Sequence, residues 1–164
     1  MELSDEIDVN PTKVRVVSEL LLTLSIVRER VVLIRQQLAH VRFLDEKIAS
    51  FDFRHFRELK KKYWKLSDAE KVSMKRAILA KRKKFLNGLD LDNLQKETEK
   101  HLEKYQDNLS KIYETKKDDL TNDVDRYVTE GLKSDGALMR ILHILELAQR
   151  QYISIIYETI NNKG

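Results

Sequence analysis

Apolar residues recur at alternating spacings of three and four along the first third of the chain. Val17, Leu20, Leu24, Val27, Val31, Ile34, Leu38 and Val41 form one such seam. This is the a/d pattern of a helix packed against neighbours in a coiled coil or bundle. Asn10 followed by Pro11 supplies an N-cap and then the residue best tolerated at the first helical position, so a helix is expected from Pro11 to about Ala49. At about 1.5 Å per residue it would be a rod on the order of 60 Å long. Asp45 interrupts the seam. Leu21, Leu22, Ile26, Val32 and Leu33 put apolar groups on further faces, so more than one neighbour should touch this helix.

Between Phe51 and Leu66 the helical spacing of Phe56, Leu59, Tyr63 and Leu66 predicts a short amphipathic helix, with Phe56 and Tyr63 turned inward as aromatic anchors. Ser67 and Glu70 make the S-x-x-E capping box of a further helix, which should stop near Asn87 with Gly88 as its C-terminal signal. A long helix is then expected from Asp90 or Asp92 to about Tyr127 or beyond. Its thin stripe is Leu94, Leu102, Tyr105, Leu109, Ile112, Leu120, Val124 and Tyr127. Gly131, Ser134 and Gly136 read as the next connection, with Ser134 as N-cap. A last helix follows, carrying Leu138, Ile141, Leu145, Ala148, Tyr152 and Ile155 on one face.

Composition agrees with helices rather than sheets. Four glycines and one proline leave little with which to turn the corners of a multi-strand fold, and 35% charged residues suit helices with one apolar stripe and broad polar faces. Every connection between these elements is short, which favours antiparallel neighbours. The expected fold is therefore all-α: one domain over residues 1–164, an elongated antiparallel bundle of about four main helices plus a short aromatic-basic helix, after a tail over residues 1–10. The chain has no cysteine, which removes disulfide and thiolate chemistry. Met1 to Asn10 is acidic and lacks the apolar core of a secretory signal, and the apolar run from Leu20 to Ile34 is broken by Arg28, Glu29 and Arg30. A soluble, intracellular protein is expected, cytoplasmic by default; Lys81–Lys84 (KRKK) would also pass as a nuclear-localisation-like run in a eukaryote.

Charge changes this plain picture. From Arg54 to Lys84 there are thirteen basic residues against three acidic ones, a local excess of +10, while the segments before and after carry −2 and −4. Within this hairpin Lys71, Lys75 and Arg82 fall inside the apolar arc of their helix, where cations need a carboxylate or a path to water. Three readings follow. The basic face is solvated or paired internally, with Asp118, Asp119, Asp123 and Asp125 as the counterpart. Or Arg54, Arg57, Lys60, Lys61, Lys62, Lys75, Arg76, Lys81, Arg82, Lys83 and Lys84 neutralise the phosphates of a nucleic acid, with Tyr63, Trp64 or His55 stacking on bases. Or the face meets an acidic protein or, less favoured, the periphery of an anionic membrane.

Catalytic and metal-binding patterns give little. His40, His55, His101 and His143 are scattered, and no Glu-x-x-His motif of a di-metal bundle occurs. Phosphate-cradling glycine loops and nucleophile elbows are missing as well. No cofactor or metal is implied. The expected function is a non-enzymatic helical interaction or assembly subunit that docks a protein partner, or a copy of itself, through the basic hairpin and apolar helix faces. The alternative is a sequence-tolerant nucleic-acid binder using residues 54–84.

Overall fold

A computed structural model describes residues 11–114 and 121–161 of the chain. These residues form an all-α protein. Its helices are α1 (Pro11–Ala49), α2 (Arg57–Trp64), α3 (Asp68–Phe85), α4 (Leu91–Glu114) and α5 (Thr121–Asn161).

The seam of α1 lies where the spacing puts it: Leu20, Leu24, Val27, Val31, Ile34, Leu38 and Val41 are all buried, and Leu44 and Ile48 extend it. At its N-terminal end the buried residue is Val16, with Val17 half-buried. A straight helix turns 100° per residue, which brings Val16 closer than Val17 to the common direction of Leu20 to Ile34; a strict heptad does not hold that far. The helix ends in a Schellman motif. Phe51 stands in the left-handed region at φ 55°, its N–H donates to Ile48 O, and the Asp52 N–H donates to Lys47 O.

That stop shortens the expected amphipathic helix. Residues 51–56 are spent in turns, held by Asp52, whose carboxylate accepts from both Arg54 and Lys47, and α2 starts only at Arg57. The buried anchors are consequently Phe53 and Leu59, whereas Phe56 and Tyr63, expected inside, are half-buried. The capping box opens α3: Ser67 Oγ accepts from the Glu70 N–H, and the Glu70 carboxylate accepts from the Ser67 N–H. Helix α3 closes at Phe85, ahead of Gly88 at φ 84°, a conformation glycine adopts without strain. The Asp90 side chain caps α4 by accepting from the Asn93 N–H.

The connection expected at Gly131 to Gly136 does not exist, because α5 runs unbroken through it. Gly131 is there for space rather than for a turn. A Cβ added to it would overlap the Tyr105 ring and come within 2.8 Å of the Thr23 methyl. Ser134 is likewise a buried helical residue and not a cap. The long helix expected to reach Tyr127 is described as α4 to Glu114, and Tyr127 belongs to α5. Of its stripe, Leu94 and Tyr105 are buried, Leu102 and Leu109 half-buried; Leu120 and the side chains of Ile112 and Val124 lie outside the described residues.

The chain divides into two compact units, Met1–Ile34 with Leu94–Ile141 and Arg35–Asn93 with Leu142–Gly164. In the first, Val16 and Leu20 pack against Leu109, Tyr127 and Val128, and Arg30 pairs with Asp135 at 3.1 Å. Residue numbers rise together along α1 and α5 there, so those two helices share a direction while α4 opposes both. Three helices around one core have only two directions to choose from, so one pair must be parallel. In the second unit Leu38, Val41, Leu44 and Ile48 of α1, Phe53, Leu59 of α2, Met74 and Ile78 of α3, and Leu145, Ala148, Tyr152 and Ile155 of α5 supply the buried residues. This unit carries the hairpin.

Candidate functional site on the basic hairpin

The cations inside the apolar arc of α3 have partners. Arg82 lies one helical turn from Ile78, and its guanidinium donates to both oxygens of Asp45, at 2.6 and 3.0 Å. The Tyr152 hydroxyl donates to Asp45 Oδ1 at 2.6 Å, so α1, α3 and α5 meet at one carboxylate. Burial alone would raise the Asp45 pKa. The hydrogen bonds from Arg82 and Tyr152 and the Arg82 charge outweigh it and hold the carboxyl below its usual range. Burial and the neighbouring carboxylate push the Tyr152 hydroxyl up instead. A group held charged in this way, with both oxygens engaged, is a clamp and is poorly suited to proton transfer. A cleft of about 400 Å³ opens beside it, bordered by Leu79, Lys83, Leu86, Asn87, Gly88, Leu89 and Leu91.

Lys71 and Lys75 are placed by rings. The Lys71 ammonium sits 5.0 Å from the Tyr63 centroid and 5.4 Å from that of Trp64; Lys75 sits 5.0 Å from Phe51 and 5.7 Å from Tyr63. Both lie within the reach of a cation–π contact, which lets a charge occupy an otherwise apolar arc. Tyr63 is also edge-on to Phe53 at 5.3 Å, and Phe53 to Phe51 at 6.4 Å. Elsewhere Lys62 donates to the Thr159 carbonyl at 2.7 Å, Lys81 pairs with Glu158 at 2.8 Å, and Lys84 lies over Phe85. Arg54 chelates Asp52, and that hydrogen bonding and charge hold the Asp52 carboxyl far below its usual range.

The thirteen basic residues therefore form two groups. Arg54, Lys62, Lys71, Lys75, Lys81, Arg82 and Lys84 are tied to carboxylates, a carbonyl or rings. Arg57, Lys60, Lys61, Lys65, Arg76 and Lys83 are exposed and make no ion pair among the described residues. No known protein family, curated protein or solved structure matches the chain.

The carboxylates that pair with Arg82, Arg54 and Lys81 are Asp45, Asp52 and Glu158. The counterpart expected from sequence does not help here: Asp118, Asp119 and the side chain of Asp123 lie outside the described residues, and Asp125 is exposed. Asp45 carried a visible signal, a carboxylate in the seam of a buried helix. Glu158 and Thr159 carried none, since a glutamate near a helix end is ordinary. Of the three candidate stacking residues, Tyr63 is half-buried and covered by Lys71 and Lys75, His55 is exposed and edge-on to Phe43 at 5.3 Å, and Trp64 is 68% exposed.

Proposed function

We propose that the chain is a non-enzymatic helical interaction subunit that docks a protein partner through apolar helix faces, with the basic hairpin as a second and chemically different contact surface. The observation that carries this reading is the amount of aliphatic surface left on α1 after its seam is filled. Leu21, Leu22, Ile26, Val32 and Leu33 remain between 41% and 68% exposed. At 100° per residue Leu21 and Val32 fall about 100–120° to one side of the seam and Leu22, Ile26 and Leu33 about 120–160° to the other, facing away from it. Single exposed leucines are ordinary, but aligned rows of them mark contact sites. Covering such a side chain completely stabilises by about 1.5–3 kcal/mol, so each half-exposed one offers a partner roughly 1 kcal/mol.

In the first unit Leu132 and Met139 of α5 are exposed as well, at 61% and 45%. In this unit α1 and α5 pack at Val16, Leu20, Tyr127 and Val128 and pair at Arg30 and Asp135, so the exposed residues of both helices belong to one compact unit. No described helix is long and apolar enough to cross a membrane, and a protein partner is the natural cover. A second copy of the chain is the first partner to test. Light scattering across a concentration series should show a species heavier than one chain, and the double change Leu22→Lys and Ile26→Lys should return it to monomer without loss of helix content. A strict monomer at every concentration, together with no specific captured partner sensitive to the same double change, overturns the reading.

A further inference from the structure

The eight residues of α2 divide by helical angle into two sides. Leu59 is fully buried on one. On the other, Arg57, Lys60, Lys61 and Trp64 follow one another at i, i+3, i+4 and i+7, and all four are exposed. Spacings of three and four put side chains on one face of a helix, so three cations and one indole line the same side of α2, with Lys60 and Lys61 one turn before Trp64 and Arg57 two. Trp64 is the only tryptophan of the chain and is 68% exposed. None of the three cations makes an ion pair among the described residues. Lys71, from the next helix, stands 5.4 Å from the indole centroid, yet most of the ring's surface stays open.

We infer that this face of α2 binds single-stranded nucleic acid without strong preference for sequence or sugar: a base stacks on Trp64 while the phosphates beside it sit on Arg57, Lys60 and Lys61. An open aromatic ring beside exposed cations is the combination that sequence-tolerant single-strand binding requires, because every base has a π-face and every nucleotide a phosphate. A paired base keeps its faces inside the duplex and cannot use the indole. An anionic membrane fits less well. A helix that lies in a bilayer interface sinks a broad apolar face, and the apolar side of α2, centred on Leu59, is committed to the core. An acidic protein would satisfy the cations but would not need a flat, uncovered ring among them.

The lone tryptophan makes the test direct. Intrinsic fluorescence of the full chain is titrated with oligo-dT, oligo-U, polyglutamate and vesicles containing phosphatidylserine, and binding of a labelled oligo-dT is followed by anisotropy for the variants. Both oligonucleotides should quench Trp64. With three phosphates engaged, affinity should fall roughly four-fold for each doubling of salt. Trp64→Ala should weaken oligo-dT binding by about ten-fold or more, and Lys60→Glu with Lys61→Glu should abolish it at moderate salt, with unchanged circular dichroism because these side chains are exposed. Three results overturn the inference: no quenching by either oligonucleotide at low salt, binding that survives both variants, or polyglutamate or vesicles perturbing Trp64 as strongly as the oligonucleotides do. The α1 rows take no part in this, so its outcome is independent of the light-scattering experiment.

Discussion

Replacing Asp45 with Asn probes the contact on which the hairpin's placement depends. The change keeps the side chain's size and removes its charge. Three hydrogen bonds converge on the carboxylate, two from Arg82 and one from Tyr152. Bonds to a charged group contribute about 1.5–3 kcal/mol each when buried. These are only partly buried, with side-chain exposures of 37% for Arg82 and 26% for Asp45, so solvent screening reduces the sum severely. Asn can still accept one bond, leaving an expected loss of about 2 kcal/mol. With a urea dependence of about 2 kcal/mol per molar, the unfolding midpoint read by Trp64 fluorescence should fall by about 1 M. The second half of the experiment is a double-mutant cycle. Arg82→Met alone strands Asp45 beside Tyr152 and Asp45→Leu alone strands Arg82, each at a similar or larger cost, while Asp45→Leu with Arg82→Met together should cost clearly less than those two single changes added, because a pair of apolar residues leaves no unmatched charge behind. A loss below about 0.5 kcal/mol for Asp45→Asn, or simple additivity in the cycle, would refute the view that this pair is what admits a cation to the apolar arc.

The same carboxylate sets an acid limit. Its folded pKa lies below the unfolded value of 3.8, so its contribution is present above that value and is lost as pH falls below it towards the folded pKa; the acid unfolding curve of Asp45→Asn should be flatter there. For Tyr152 the folded pKa lies above the unfolded value of 10.0, so its contribution is full below pH 10 and is lost as pH rises through the folded pKa, a loss that Tyr152→Phe should remove. Gly131→Ala should destabilise by about 1–3 kcal/mol through overlap with Tyr105 and Thr23, whereas Gly136→Ala, where nothing lies within 4 Å, should stabilise by about 0.5–1 kcal/mol in thermal unfolding. Ser67→Ala removes the acceptor for the Glu70 N–H and should cost about 1 kcal/mol in the same measurement.

Much of the fold could be read from residue spacing because helices announce themselves through local rules. Pro11, the Ser67–Glu70 box and Gly88 each act within one turn, and the α1 seam needs only a count of threes and fours. The failures occur where a residue's meaning depends on something distant. Gly131 looks like punctuation until Tyr105, twenty-six residues earlier, is seen to occupy the space a Cβ would need. The start of α2 was misplaced for a related reason. The helical spacing begins only at Phe56, and the Schellman turn before it is completed by the non-glycine residue Phe51, so no glycine marks it.

For the candidate site, the residues that break the local pattern carried the information. An aspartate in the seam of α1 and an arginine in the apolar arc of α3 are each unfavourable alone, since a charge moved out of water without a partner is expensive. Each violation is tolerable only if something elsewhere compensates it, and two violations of opposite sign on different helices are the simplest compensation. Asp45 and Arg82 are such a pair, thirty-seven residues apart. Lys71 and Lys75 follow the same logic with aromatic rings as the compensating groups. What remains after this cancellation is not a net charge of +4 spread over the chain but a specific residue set: the exposed Arg57, Lys60, Lys61, Lys65, Arg76 and Lys83, the first three of them on the face of α2 that carries Trp64. Those cations are not needed to hold the hairpin in place, since the clamp at Asp45 and the ring contacts do that. Reversing Lys60 and Lys61 to Glu should therefore leave the free energy of unfolding in urea within about 0.5 kcal/mol of the original, whereas removing the Asp45 charge should not.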